Sequence, residues 1–209
     1  MVGQKGVLLS RHLERMVRDA SRLGINVSRR ELAAVCTQAG QRFSGRFSDD
    51  GWILKLTLTR GGGVRGYRPD PGMVPNLLVS ASPLASAPDA SGVVVDFSRV
   101  PLTVNPLLAG IKSLNRLEQV MAAADLGQSL FEVIMSDSDG NLVEGTRTNL
   151  LLRVDEAWVA PPAACLAVAG VLRQWLLERL RQRGEVVTER PLTVEDVLGP
   201  ECRGLFLLN

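Results

Sequence analysis

Residue types limit the chemistry open to this 209-residue chain, because it carries a single histidine, His12. One imidazole removes most metal-ligand sets and the Ser–His and Cys–His nucleophile pairs. Cys36, Cys165 and Cys202 are odd in number, far apart and in no CxxC pair, so they read as buried reduced thiols. Lysine, carboxylates, arginines or a cofactor remain. Lys112 follows the apolar stretch Pro106-Leu-Leu-Ala-Gly-Ile111 and precedes a predicted helix. Partial desolvation there would disfavour its ammonium and free the amine as a nucleophile. The competing reading is a surface lysine at a strand-to-helix junction. Glu144, within Asp139-Gly-Asn-Leu-Val-Glu-Gly-Thr-Arg-Thr-Asn149, is a carboxylate in what reads alone as a hairpin with a polar edge.

Other segments could hold anions. Gly170-Val-Leu-Arg173 opens a helix after Ala167-Val-Ala169, and the free N–H groups of a helix start suit phosphate. An ordinary glycine before an amphipathic helix explains the same residues. Arg15 could clamp a phosphate with its guanidinium. It could equally belong to a solvated face, since Arg11, Arg18 and Arg22 line much the same side. Arg60-Gly-Gly-Gly-Val-Arg-Gly-Tyr67 lacks the GK[ST] ending of a nucleotide loop. It is either a loop offering Arg65 and Tyr67 to an anionic ligand or a plain glycine-rich turn.

The elements that must position these residues follow from hydrophobic periodicity. Val7-Leu-Leu9 reads as a short strand, and Leu13, Met16, Val17, Ala20 and Leu23 as a helix stopped by Gly24. Ser28-Arg-Arg-Glu31 has the form of a capping box opening a second helix. Residues 52–59 alternate as a strand, and 76–81 form another. A Ser-, Ala- and Pro-rich linker at 83–91 separates a small N-terminal domain, 1–82, from a larger one, 92–209. The second domain is expected to run as a strand at 92–96, a helix at 113–124, a strand at 130–135 and a turn at 137–140. Strands at 149–154 and 157–160, a helix after Gly170, and strands at 185–188 and 204–208 complete it. Strands and helices mix without a strict βαβ rhythm, so the fold class is α+β.

Composition narrows the partners. The chain is 45% hydrophobic and 22% charged with a formal net charge of +2, which are the proportions of a globular protein. No basic stripe interleaves with aromatics, so nucleic acid is not an expected partner. No apolar run reaches membrane-spanning length, and the first residues lack the apolar core of a signal peptide, so a cytoplasmic location is expected.

Taken in order, Leu108-Ala-Gly-Ile-Lys-Ser-Leu-Asn-Arg-Leu-Glu-Gln-Val120, Asp139-Gly-(x)3-Glu-(x)4-Asn149 and Gly170-Val-Leu-Arg173 resemble the fold-type IV enzymes that use pyridoxal 5′-phosphate (PLP). That family includes branched-chain and D-amino-acid aminotransferases and 4-amino-4-deoxychorismate lyase. Arg60-Gly-(x)3-Arg65-Gly-Tyr67 and Asn115-Arg-Leu-Glu-Gln119 are similar to the lyase branch. The resemblance runs from Leu8 to Asn209. It implies a two-domain α+β fold, a small N-terminal domain and a larger barrel-like one, incomplete at both termini. It also implies Lys112 as Schiff-base lysine and proton carrier, and Glu144 paired with the pyridine nitrogen. Arg15, Gly170, Val171, Leu172 and Asn149 join the cofactor set, while Arg65, Tyr67 and Asn115 are substrate candidates. The expected cofactor is PLP, with no metal. The expected substrate is aminodeoxychorismate, converted to 4-aminobenzoate and pyruvate in folate synthesis. The expected assembly is a homodimer. Aminotransfer on the same fold is the alternative, as is an inactive fragment suggested by the two ends.

Overall fold

The computed structural model describes residues 6–47, 51–63, 65–124, 126–127 and 129–209. Val64, within the Arg60–Tyr67 loop, lies outside the described residues. The chain divides into two compact units, Met1–Ala87 and Pro88–Asn209. No helix among the described residues is long and apolar enough to cross a membrane.

The first unit packs α1 (Leu9–Arg22) and α2 (Arg29–Phe43) against an antiparallel hairpin of β1 (Trp52–Thr59) and β2 (Asn76–Pro83). Leu13, Leu32 and Cys36 form its buried centre, closed over by Met16, Val17, Leu54, Leu56 and Leu77. These are the apolar positions of the two helices and the inward positions of the alternating strands. α1 ends where Gly24 adopts φ 65°, letting the Ile25 N–H reach the Ala20 carbonyl at 2.8 Å. α2 starts on a complete capping box. The Glu31 N–H donates to Ser28 Oγ at 3.2 Å, and the Ser28 N–H donates to Glu31 Oε2 at 2.8 Å.

The second unit is built on a seven-stranded sheet. In chain order it contains β3 (Val95–Phe97), α3 (Leu117–Ala124), β4 (Glu132–Ser136), β5 (Leu142–Gly145), β6 (Asn149–Val154), β7 (Ala157–Ala160), α4 (Val171–Gln182), β8 (Val186–Glu189), α5 (Val194–Leu198) and β9 (Cys202–Leu208). The strands lie in the order β3-β4-β5-β6-β7-β8, with β9 antiparallel to β6. The β3–β4 and β7–β8 pairs are parallel and enclose α3 and α4 as crossover segments. Leu150, Leu151 and Leu152 are all buried, because both faces of β6 are covered. Val133, Met135 and Val143 pack with Leu166 in one cluster, and Ile134, Leu142, Leu150 and Leu152 pack with Leu192 in another.

Several expectations needed correction. Val7–Leu9 is not a strand: residues 7 and 8 form a turn, and α1 begins at Leu9. Three consecutive apolar residues are as compatible with the start of an amphipathic helix, and Leu9 packs beside Leu13 in the core. The expected helix at 113–124 begins only at Leu117. Its Leu114, Leu117, Val120 and Met121 stripe faces outward, and Gln119 and Ala122 are the buried residues. The 92–96 strand is found at Val95–Phe97, and α5 had no counterpart in the expectation. All three cysteines are free, but only Cys36 is buried; Cys165 and Cys202 are half-buried.

Candidate active site

In the second unit, a short connecting segment, Leu166–Gly170, bonds to the Lys112 region on one side and to the β5–β6 hairpin on the other. On one side the Gly110 N–H donates to the Leu166 carbonyl at 2.7 Å, and the Ala169 N–H returns to the Gly110 carbonyl at 3.0 Å. Gly110 adopts φ 78°, and a Cβ there would meet the Ala169 Cβ at 3.2 Å. The Arg116 guanidinium reinforces this junction, donating to the Ile111 carbonyl at 2.8 Å and the Ala167 carbonyl at 3.4 Å. These bonds hold residues 110–116 away from a helical path, which explains the late start of α3.

On the other side the same segment meets Glu144. The Val168 N–H donates to Glu144 Oε2 at 3.1 Å. Asn149 Nδ2 bridges Glu144 Oε2 at 3.3 Å and the Val168 carbonyl at 3.0 Å. Glu144 and Asn149 are partners across the β5–β6 pair, so the hairpin register sets this contact. A Cβ on Gly170 would fall 1.9 Å from Asn149 Oδ1, so residue 170 must lack a side chain for Asn149 to stay where it is.

Glu144 is only 4% exposed. Burial pushes its carboxyl up to about 7, against the opposing pull of the Val168 N–H and the positive charges of Arg116 and Lys112. Lys112 is therefore close enough in charge to act on Glu144. The side chain itself is exposed, rather than desolvated among apolar residues. Arg116 is half-buried, and burial lowers its pKa while Glu144 and Glu118 raise it.

Beside Asn149, α4 begins at Val171 after its N-cap Gly170, with no side-chain cap and no acidic residue in its first turn. The amides of Val171 and Leu172 thus open a helix N-terminus suited to an anion. Further along α4, Arg173 is buried, donating to the Pro161 carbonyl at 2.5 Å and to Glu189 at 2.8 Å. Its contacts are those of a structural ion pair.

Lys112, Glu144, Asn149, Gly170, Val171 and Leu172 belong to this one neighbourhood, with Asn115 in the exposed turn after Lys112. Arg15, Arg65 and Tyr67 belong to the first unit. Arg15 is half-buried rather than on a solvated face, with its pKa lowered by burial and raised by Asp19. Arg65 and Tyr67 are exposed, Tyr67 fully. The motif reading passed over Arg116 and Glu132, whose contacts cross long sequence separations. Among the described residues no cluster of three or more His, Cys, Asp or Glu could hold a metal ion.

Comparison with known proteins fits this geometry. The amino-transferase class IV family model matches residues 1–209. An aminodeoxychorismate lyase of Vibrio harveyi is 33% identical over 160 residues, covering 74% of this chain and 59% of that protein. A D-alanine aminotransferase of Bacillus licheniformis is 26% identical over 199 residues, covering 92% of this chain and 67% of that one. The crystal structure of 4-amino-4-deoxychorismate lyase from Pseudomonas aeruginosa superposes with a TM-score of 0.88 at 35% identity, covering 99% of this chain and 75% of that chain. The chain belongs to the class IV aminotransferase family, whose members are PLP-dependent enzymes. It spans less than two thirds of the length of the Vibrio harveyi relative.

Proposed function

We propose that this chain is a PLP-dependent aminodeoxychorismate lyase, releasing 4-aminobenzoate and pyruvate from 4-amino-4-deoxychorismate in folate synthesis. The observation that carries the reading is the buried Glu144 carboxyl, held by Asn149 and the Val168 N–H and acted on by the positive charge of Lys112, within a chain 33–35% identical to two lyases. The residues present fit PLP. A buried carboxyl raised to about 7 is a ready partner for a protonated ring nitrogen, which would restore its ionised form. The uncapped start of α4 at Gly170, Val171 and Leu172 would take the phosphate. Lys112 would bind the carbonyl carbon through Nζ.

When bound, PLP supplies an electron sink for the carbon that bears the substrate amine. Lys112 Nζ, as a free amine, would be the base that removes the proton from that carbon. Glu144, steadied by Asn149 and the Val168 N–H, would hold a proton on the ring nitrogen. The enolpyruvyl group would leave from the adjacent carbon and take up a proton at its methylene carbon to give pyruvate, and aromatisation of the other product favours its departure. The roles of Arg15, Arg65, Tyr67 and Asn115 rest on the family resemblance alone.

Aminotransfer is the second reading, favoured by the likeness to a D-alanine aminotransferase. Lys112 would perform the same first proton abstraction in either reaction. The deciding experiment incubates the PLP-loaded chain with aminodeoxychorismate and follows 4-aminobenzoate and pyruvate. Stoichiometric release of both, abolished in Lys112→Ala, is expected. Transfer of the amine to 2-oxoglutarate without pyruvate release would instead establish the aminotransferase. We further propose a homodimer. Its supporting feature is the exposed apolar surface of Leu107, Leu108, Leu114, Leu117, Val120 and Met121.

A further inference from the structure

A fully buried carboxylate lies beneath the hairpin that carries Glu144 and Asn149. Glu132, the first residue of β4, is 0% exposed. Its Oε1 accepts the Thr146 N–H at 3.1 Å and the Thr146 hydroxyl at 2.6 Å. Its Oε2 accepts the Arg147 N–H at 3.2 Å and the Thr148 hydroxyl at 3.2 Å. Arg147 Nε, 3.9 Å away, supplies the compensating charge. All these donors belong to the turn between β5 and β6, which the Gly145 N–H closes on the Thr148 carbonyl at 2.7 Å. Asn149 follows the turn directly, and Glu144, its cross-strand partner, precedes it by one residue, Gly145. Gly145 makes room for the carboxylate: a Cβ there would fall 2.8 Å from Glu132 Cγ and Cδ and 2.4 Å from Thr148 Oγ1.

We propose that Glu132 is a positioning residue of the candidate active site, fixing the turn so that Asn149 and the Val168 N–H stay on the Glu144 carboxyl. The proposal rests on the reading of Glu144 and Asn149 as cofactor residues. A merely structural Glu132 would stabilise the hairpin without affecting how Glu144 titrates. Glu132→Gln separates the two roles, because an amide replaces one acceptor oxygen with a donor. One backbone N–H of the turn then faces another N–H and loses its acceptor.

The test follows the Glu144 carboxyl by 13C NMR in the cofactor-free 209-residue chain, assigned by its loss in Glu144→Gln. The charged groups acting on it, Arg116 and Lys112, are kept unchanged. Removing hydrogen bonds to a carboxylate raises its pKa, so Glu132→Gln should raise the midpoint by about one pH unit. Thr146→Val, which removes only the hydroxyl donor, should raise it by less. PLP affinity, read from the yellow absorbance of the bound cofactor, should fall by about tenfold in Glu132→Gln. Unmoved midpoints in the folded variants would overturn the proposal, however far the melting temperature falls. If Glu132→Gln does not fold, Thr146→Val decides alone. A raised midpoint in a chain whose wild type binds no PLP would uphold the positioning role and overturn the cofactor reading.

Discussion

Glu144 meets opposing demands, because the burial that suits it to a cationic partner disfavours its own charge. Its folded pKa of about 7 lies above the ordinary 4.5, so the folded chain holds this proton more tightly than the unfolded chain. The resulting stabilisation is complete below about pH 4.5 and is lost as pH rises through 7. A shift of this size corresponds to roughly 3 kcal/mol at most. Glu144→Gln, neutral at every pH, should therefore stabilise the cofactor-free chain by roughly 2 kcal/mol at pH 8 and far less at pH 5. Urea unfolding at the two pH values measures this, and an equal effect at both would contradict the raised pKa. Gly170→Ala acts on the same carboxyl indirectly. The new Cβ would displace Asn149 and break its bonds to Glu144 and the Val168 carbonyl. A loss of about 1–3 kcal/mol is expected, measured by the same unfolding.

The Lys112 segment owes its path to bonds with distant chain, and Gly110 is its pivot. Gly110→Ala places a side chain at φ 78° and against Ala169. A cost of roughly 1–2 kcal/mol is expected from the backbone alone. Faster hydrogen exchange at the Gly110 and Ala169 amides should accompany it, and unchanged exchange would show that the segment tolerates the strain. The same bonds explain what local pattern could not reveal. The α2 capping box and the β1 alternation depend on neighbouring residues, and both were legible. The α3 stripe misled because periodicity identifies an apolar face without saying what covers it. The bond from Arg116 to Ala167 spans residues too far apart for any periodicity to join. Glu132, inside the expected 130–135 strand, drew no notice, since the hydroxyl and N–H donors of Thr146, Arg147 and Thr148 lie in the next hairpin. Lys112 and Glu144 stood out through motif order, and the burial that raises the Glu144 pKa became visible only in three dimensions.

At the scale of the whole molecule, the apolar surface around α3 is the feature most at odds with an isolated chain. Leu117 is 73% and Val120 62% exposed. If a second copy covers this surface, Leu117→Lys combined with Val120→Lys should convert a dimer into a monomer in sedimentation velocity. The fold should be intact, because neither side chain contributes to the buried core. A wild-type chain that sediments as a monomer would remove the dimer from the reading.

The fit between Gly145 and Glu132 also constrains how the sequence can drift. A side chain at 145 collides with the carboxylate below it, while a shorter residue at 132 leaves the turn's N–H groups without acceptors. Each single change is penalised in the background of the other's ancestral residue, so the order of substitution matters. In a double-mutant cycle, Glu132→Ala and Gly145→Ala together should cost less than the sum of the two alone. Because a Cβ at 145 also meets Thr148 Oγ1 at 2.4 Å, positions 132, 145 and 148 are expected to be coupled in descent, a constraint that no one residue's burial would suggest.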